Sequence, residues 1–189
     1  QKALNVVGDY RLSSNCNVLK WAIPGNLNTS IFPENDYAYG IASFDGEGVS
    51  LLIALHACDT ATDDAIAKGI LAGADAIVVA PCCHKQIRRE MEQGTVAQDL
   101  NVVMAHGIFI ERQAEMVTDA LRALIMEYFG YTTKVFEFIS DAHTPKNVMI
   151  VGTKRAESGC RDPAILARIK AAKEFFGITR HHLERMLGI

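Results

Sequence analysis

The stretch Leu51-Leu-Ile-Ala-Leu-His-Ala-Cys-Asp-Thr-Ala-Thr-Asp-Asp64 constrains this chain more than any other. It opens with an unbroken apolar run, Leu51 to Leu55, too short for a buried helix. It then turns at once to His56, Cys58 and Asp59. A helix start signal follows: Thr60 or Thr62 can cap through its hydroxyl, and Asp63 and Asp64 favour the first turn. An apolar run that ends in ionisable side chains with a helix behind it predicts a buried parallel strand delivering chemistry to its carboxyl end. In open α/β sheets, that end is where ligands bind.

A second unit has the same build. Ala74-Asp-Ala-Ile-Val-Val-Ala80 reads as another buried strand; it ends in Pro81-Cys-Cys-His84 and leads into a short basic helix, Lys85 to Met91. Adjacent strands lie about 4.8 Å apart, so the two polar clusters are expected to face each other across a small space. Lys85, Arg88 and Arg89 read as a solvated helix face, with a phosphate-bearing substrate as the alternative.

Around these units, Leu4 to Val7 predicts a short strand closed by Gly8 and Asp9, and residues 13–22 a helix capped by Ser13 or Ser14. Residues 24–36 read as a loop and Tyr37 to Ile41 as a short strand. The longest helix runs from Glu111 to Phe129, with an apolar stripe of Ala114, Val117, Leu121, Leu124 and Tyr128, and Gly130 stops it. Strands at 133–139 and 147–152 are close enough to pair antiparallel, and the tail reads as two helices split at Gly177, with His181 and His182 facing solvent. The pattern implies an α/β fold: a mainly parallel sheet with one antiparallel strand near an edge, flanked by helices. Residues 1–155 would form this domain, and 156–189 a helical extension packing on it.

Composition removes several function classes. Lys plus Arg number 19 against 22 for Asp plus Glu, a formal charge of −3, which argues against a broadly basic nucleic-acid-binding face. No apolar run approaches the roughly 20 residues that span a bilayer. Five cysteines, an odd count with Cys82 and Cys83 adjacent, do not make a disulfide framework, so a reducing cytoplasmic setting is expected.

Ala54-Leu-His-Ala-Cys-Asp-Thr-Ala-Thr-Asp63, Ala80-Pro-Cys-Cys-His84 and His143-Thr-Pro-Lys-Asn147, in that order, resemble one branch of the class I S-adenosylmethionine-dependent methyltransferases. It is the methyltransferase-domain family that includes glutathione-S-transferase-C-terminal-domain-containing proteins, and the likeness spans roughly residues 3–155. The resemblance implies a Rossmann-like sheet, S-adenosyl-L-methionine as cofactor, and methyl transfer to an unidentified acceptor (RNA, protein or small molecule). It makes Leu4 to Val7 the second strand of that fold, with Asp9 accepting from the ribose hydroxyls. Ile41 would border adenine, and Leu55 with His56 would lie near the reactive methyl group. The family's first strand and Gly-rich loop would precede Gln1, so a fragment is expected, with a gap beside Leu51 to Leu55 unless another segment fills it.

His56 and Asp59 are the residues assigned to catalysis, because a general base helps if the acceptor arrives protonated; His84 is a further candidate. Cys58, Cys82, Cys83 and His84 are assigned to the acceptor side. A zinc site is the competing reading of the Cys/His cluster, but the spacings lack a Cys-x-x-Cys knuckle, and no metal ligand is assigned. A third reading is plain packing, since cysteine behaves as a small hydrophobe; on a continuing strand Cys82 and Cys83 would point to opposite faces. A catalytically inactive binding module of the same fold is the alternative function.

Overall fold

The computed structural model describes residues 18–22, 51–55, 57–94, 101–138, 146–156 and 161–189. Five strands are present among them: β1 Val18–Ala22, β2 Leu51–Leu55, β3 Ala76–Ala80, β4 Tyr131–Glu137 and β5 Val148–Lys154. The helices are α1 Thr60–Leu71, α2 Lys85–Gln93, α3 Asn101–Met104, α4 Gly107–Tyr128, α5 Pro163–Phe175 and α6 His182–Leu187. The sheet order is β1-β2-β3-β5-β4. β1, β2 and β3 run parallel, and β5 is antiparallel to both β3 and β4. The result is a mixed α/β sheet whose antiparallel strand lies one position in from the edge.

β2 and β3 form because both are short, fully apolar runs that the sheet buries: Leu52, Ala54, Ile77 and Val79 have no exposed surface. Their register aligns Leu55 with Ala80, so the two strands end level. The expected hairpin is present and β4 begins earlier than predicted, because Gly130 (φ 91°) closes α4 in a left-handed turn and lets the strand start at Tyr131. The Tyr131 hydroxyl donates to the carbonyl of Ala74 at 2.8 Å, tying the start of β4 to the entry of β3.

Two sequence expectations fail here. Residues 18–22, expected within a helix capped by Ser13 or Ser14, form β1 and pair with the whole of β2 from Val18↔Leu51 to Ala22↔Leu55. An open hydrogen-bonding edge on a buried strand demands a partner, and that demand overrides local helix propensity. The position beside β2, expected to be a gap unless another segment filled it, is therefore occupied by β1. His181 and His182, expected in solvent, face inward. His181 is 2% exposed, its Nδ1 accepting from the Leu183 amide as the cap of α6, and His182 Nε2 lies 2.7 Å from Asp64 Oδ1. The expected strand at Leu4 to Val7, Asp9, and the segment around Ile41 lie outside the described residues.

The tail is part of the core. Asp162 caps α5 by accepting from the Ala164 amide, with Pro163 in the first turn. Ile169, Ile178 and Leu183 join the buried cluster built by β2, β3, α1 and α4. Glu90 of α2 anchors the turn between the tail helices by accepting from the amides of Thr179 and Arg180. Among the described residues, no helix is long and apolar enough to cross a membrane.

Gly69 of α1 faces β2 and β3, and a Cβ there would stand 2.8 Å from Ile77 Cδ1, 2.9 Å from Ile77 Cγ1 and 3.2 Å from Leu52 Cδ1. Alanine would gain about 1 kcal/mol in helix propensity. Overpacking two fully buried side chains costs about 1–3 kcal/mol. Gly69→Ala is therefore expected to lower stability by about 1 kcal/mol in urea denaturation; a raised midpoint would show that Ile77 gives way.

Candidate active site

Parallel pairing brings the tips of β2 and β3 side by side, and the loops leaving them carry the polar residues. The β2 loop passes Cys58 to Asp59, whose backbone (φ 51°, ψ −122°) lies where a non-glycine residue is strained. Two contacts from other helices hold it. Its carbonyl accepts from Arg122 Nη2 at 2.8 Å, and its Oδ1 accepts from the Gln86 amide at 2.9 Å. Asp59 is the N-cap residue of α1, yet its carboxylate serves the first turn of α2, where an amide has no partner within the helix. The expected hydroxyl cap at Thr60 or Thr62 is not formed: the Thr62 hydroxyl donates backward to the carbonyl of Ala57.

Arg122, on α4, is the centre of a buried ionic network. It is 1% exposed, and its Nε donates to Asp63 Oδ1 at 2.7 Å while Nη1 donates to Asp119 Oδ1 at 3.0 Å. Burial opposes the guanidinium charge, but Asp63 and Asp119 outweigh it, so Arg122 is held more firmly protonated than usual. The same Asp119 oxygen lies 3.1 Å from His84 Nε2. A carboxylate only accepts, so His84 carries its proton on Nε2 and Nδ1 points the other way. That Nδ1 is buried with no hydrogen-bond partner. Asp119, braced by Arg122, thus orients His84 as a carboxylate orients a general base.

Three thiols crown this layer. Cys58 is exposed, Cys82 and Cys83 half-buried, and all three are free. Cys58 Sγ is 3.3 Å from Cys82 Sγ, which is 3.5 Å from Cys83 Sγ. β3 ends at Ala80, so strand alternation no longer applies beyond Pro81 and Cys82 and Cys83 turn to the same side. Burial, together with hydrogen bonding from the neighbouring thiols, pushes Cys82 well above the usual thiol range; burial also raises Cys83.

The structure therefore brings together Asp59, Cys58, Cys82, Cys83 and His84, with Leu55 37% exposed at the end of β2. His56, Asp9 and Ile41 lie outside the described residues. Arg88 is not a free cation: it pairs with Glu92 at 3.0 Å and Glu111 at 2.6 Å. A cavity of about 470 Å³ lies not at the strand tips but against the tail, lined in part by Gln86, Glu90, Lys173 and His181. Sequence reasoning missed Asp119, Arg122 and His181. The available signal was an Asp and an Arg three residues apart beside the stripe of Val117 and Leu121, a spacing that places both on one helix face.

Comparison with known proteins adds one finding. A family model described as a methyltransferase domain matches residues 13–90, the stretch that holds β1, β2, α1, β3 and the first turn of α2, which supports kinship with a methyltransferase family. No curated protein gives a significant match. Nor does any solved structure.

Removing Arg122 strands two buried carboxylates. Arg122→Met is expected to cost about 3–5 kcal/mol in chemical denaturation. Adding Asp63→Asn and Asp119→Asn to it should recover part of that loss; a triple variant as unstable as the single would show that the network's charge is not what matters. His181 gives a pH signature. Burial, opposed by Asp63 but reinforced by Arg122, Lys173 and His182, lowers its pKa to about 4 from 6.5. The unfolded chain binds the extra proton between those values, so stability is full above about pH 6.5 and falls by about 3 kcal/mol as pH drops toward 4. His181→Asn, which keeps a capping oxygen for α6, is expected to flatten that slope when denaturation midpoints are compared across this range.

Proposed function

We propose that this chain is an S-adenosylmethionine-dependent methyltransferase domain with a Rossmann-like sheet, working at the carboxyl ends of β2 and β3. The observation that carries the reading is the methyltransferase-domain match over residues 13–90, which contains both polar strand tips. An odd count of five cysteines, two of them adjacent, supports a reducing, cytoplasmic setting.

S-adenosyl-L-methionine would supply the activated methyl group. Leu55 fits such a ligand, being an apolar side chain part-exposed at a strand end where ligands of open α/β sheets bind. Asp9, Ile41 and His56 complete the proposed cofactor side, with Asp9 accepting from the ribose diol. Cys58, Cys82, Cys83 and His84 form the proposed acceptor side. Methyl transfer is mainly a matter of in-line positioning, so a rigid lip counts for more than a strong acid or base. The bracing of Asp59 and His84 by Arg122, Asp119 and the α2 amide supplies that rigidity. His56 and Asp59 are the proposed proton acceptors; Asp59 Oδ1 is engaged by the Gln86 amide, leaving its second oxygen to take a proton from an arriving acceptor.

Calorimetric titration of the chain with S-adenosylhomocysteine tests the reading. One-site binding is expected, weakened at least about tenfold, or 1.4 kcal/mol, by Leu55→Arg, which sets a cation where the sulfonium would lie. Because Leu55 is part-exposed, the variant should keep its denaturation midpoint. Absence of any binding heat in the protein with its upstream sequence included would overturn the proposal.

A further inference from the structure

The geometry of the three thiols points to a metal site: we propose that Cys58, Cys82 and Cys83 together bind one thiophilic divalent cation of the zinc type, with one coordination position open to solvent. It concerns three of the residues on the proposed acceptor side but rests on different observations.

The first is distance. A zinc ion with sulfur ligands at about 2.3 Å in tetrahedral geometry sets its sulfurs about 3.8 Å apart. Here one ligand atom from each of the three cysteines lies within 4.8 Å of the others, and two of the separations are 3.3 and 3.5 Å. An ion between them requires shifts of only a few tenths of an ångström at the closer pairs. The sequence offers no Cys-x-x-Cys knuckle, but none is needed, because the level ends of two parallel strands present the thiols from separate loops.

The second is the surroundings. Cys58 lies just before α1, and Cys82 and Cys83 just before α2, so the three sulfurs gather near two helix amino ends whose partial positive charge favours thiolates. Thiols bind a dication as thiolates, so uptake should release protons and strengthen with rising pH.

The third is ligand chemistry. Thiolates select zinc and other soft ions over magnesium and calcium, which demand oxygen. Three protein ligands, one of them exposed, leave the fourth position to water or to a substrate donor, the arrangement of zinc sites that act on ligands rather than only brace a fold.

The test is zinc titration of the reduced chain against a chromophoric chelator, with cobalt(II) substitution as a spectroscopic readout. One equivalent should bind, and cobalt should give a sulfur-to-metal charge-transfer band. Cys58→Ser, Cys82→Ser and Cys83→Ser should each weaken zinc binding at least about a hundredfold, the upper range for loss of even an indirect metal partner. Cys160→Ser should leave it unchanged. Cys58 is exposed, so its variant probes the site without disturbing the core. Bound zinc should also protect the three thiols from alkylation, read by mass spectrometry. Less than one equivalent bound, affinity retained in Cys58→Ser or Cys83→Ser, or a Cys58–Cys82 disulfide that forms equally fast with and without zinc would each overturn the proposal.

Discussion

The guanidinium of Arg122 is the contact on which the rest of the site depends. Its three nitrogens reach Asp63 on α1, Asp119 on α4 and the carbonyl of Asp59, and through Asp119 the network extends to His84 at the exit of β3. Charges this deep attract strongly, but each was taken out of water at a cost of several kcal/mol, so the network adds little net stability over an apolar equivalent. What it supplies is placement. The planar fork of Arg122 accepts few arrangements of its partners, and each partner belongs to a different segment. The apolar core of Leu52, Ile66, Ile77 and Ile125 would fold α1 and α4 onto the sheet in any case. It has no means of fixing where the loops beyond β2 and β3 stand.

Asp59 shows how placement turns into shape. A non-glycine residue at φ 51° persists only where its surroundings over-determine it. Arg122 holds its carbonyl from below, and the Gln86 amide holds its carboxylate from the side. The second bond is a helix cap made across elements: an acid at the start of α1 satisfies an amide in the first turn of α2. The two helix starts are thereby clamped together.

How much of this was legible in the sequence follows from the range of the interactions involved. β2 and β3 were readable because a buried parallel strand is a local apolar run, and the facing of their tips follows from strand spacing alone. The antiparallel β4–β5 pair was readable from alternation in the first run and the short turn that separates it from the second. β1 was not, because Val18 to Ala22 carries no decisive local pattern; the open edge of β2, more than twenty-five residues downstream, selects the strand. Arg122 was hidden for a related reason. A helix stripe of Val117 and Leu121 identifies the buried face, but only the packing of α1 against α4 shows that Arg122 lies on it beside Asp63. His181 next to His182 looked like a solvated pair, and its burial depends on α6 docking where Leu183 joins the core.

The layers at the strand tips have an order that argues for what each can do. Deepest are Asp63, His84, Asp119 and Arg122, all nearly inaccessible; above them lie the half-buried Cys82 and Cys83; outermost is Cys58. A group sealed from water can orient but cannot exchange with solvent, whereas a thiol at the surface can meet a ligand. The cross-helix cap of Asp59 on α2 is what sets Cys58 against Cys82, since Cys58 is its immediate neighbour in the chain. Releasing that clamp would leave the strands paired and the core intact, yet it would let Cys58 swing away from its two partners. The convergence of the thiols therefore depends on the braced loops as well as on the level ends of β2 and β3. Any chemistry at the surface sulfurs is coupled to a carboxylate–guanidinium network that solvent does not reach.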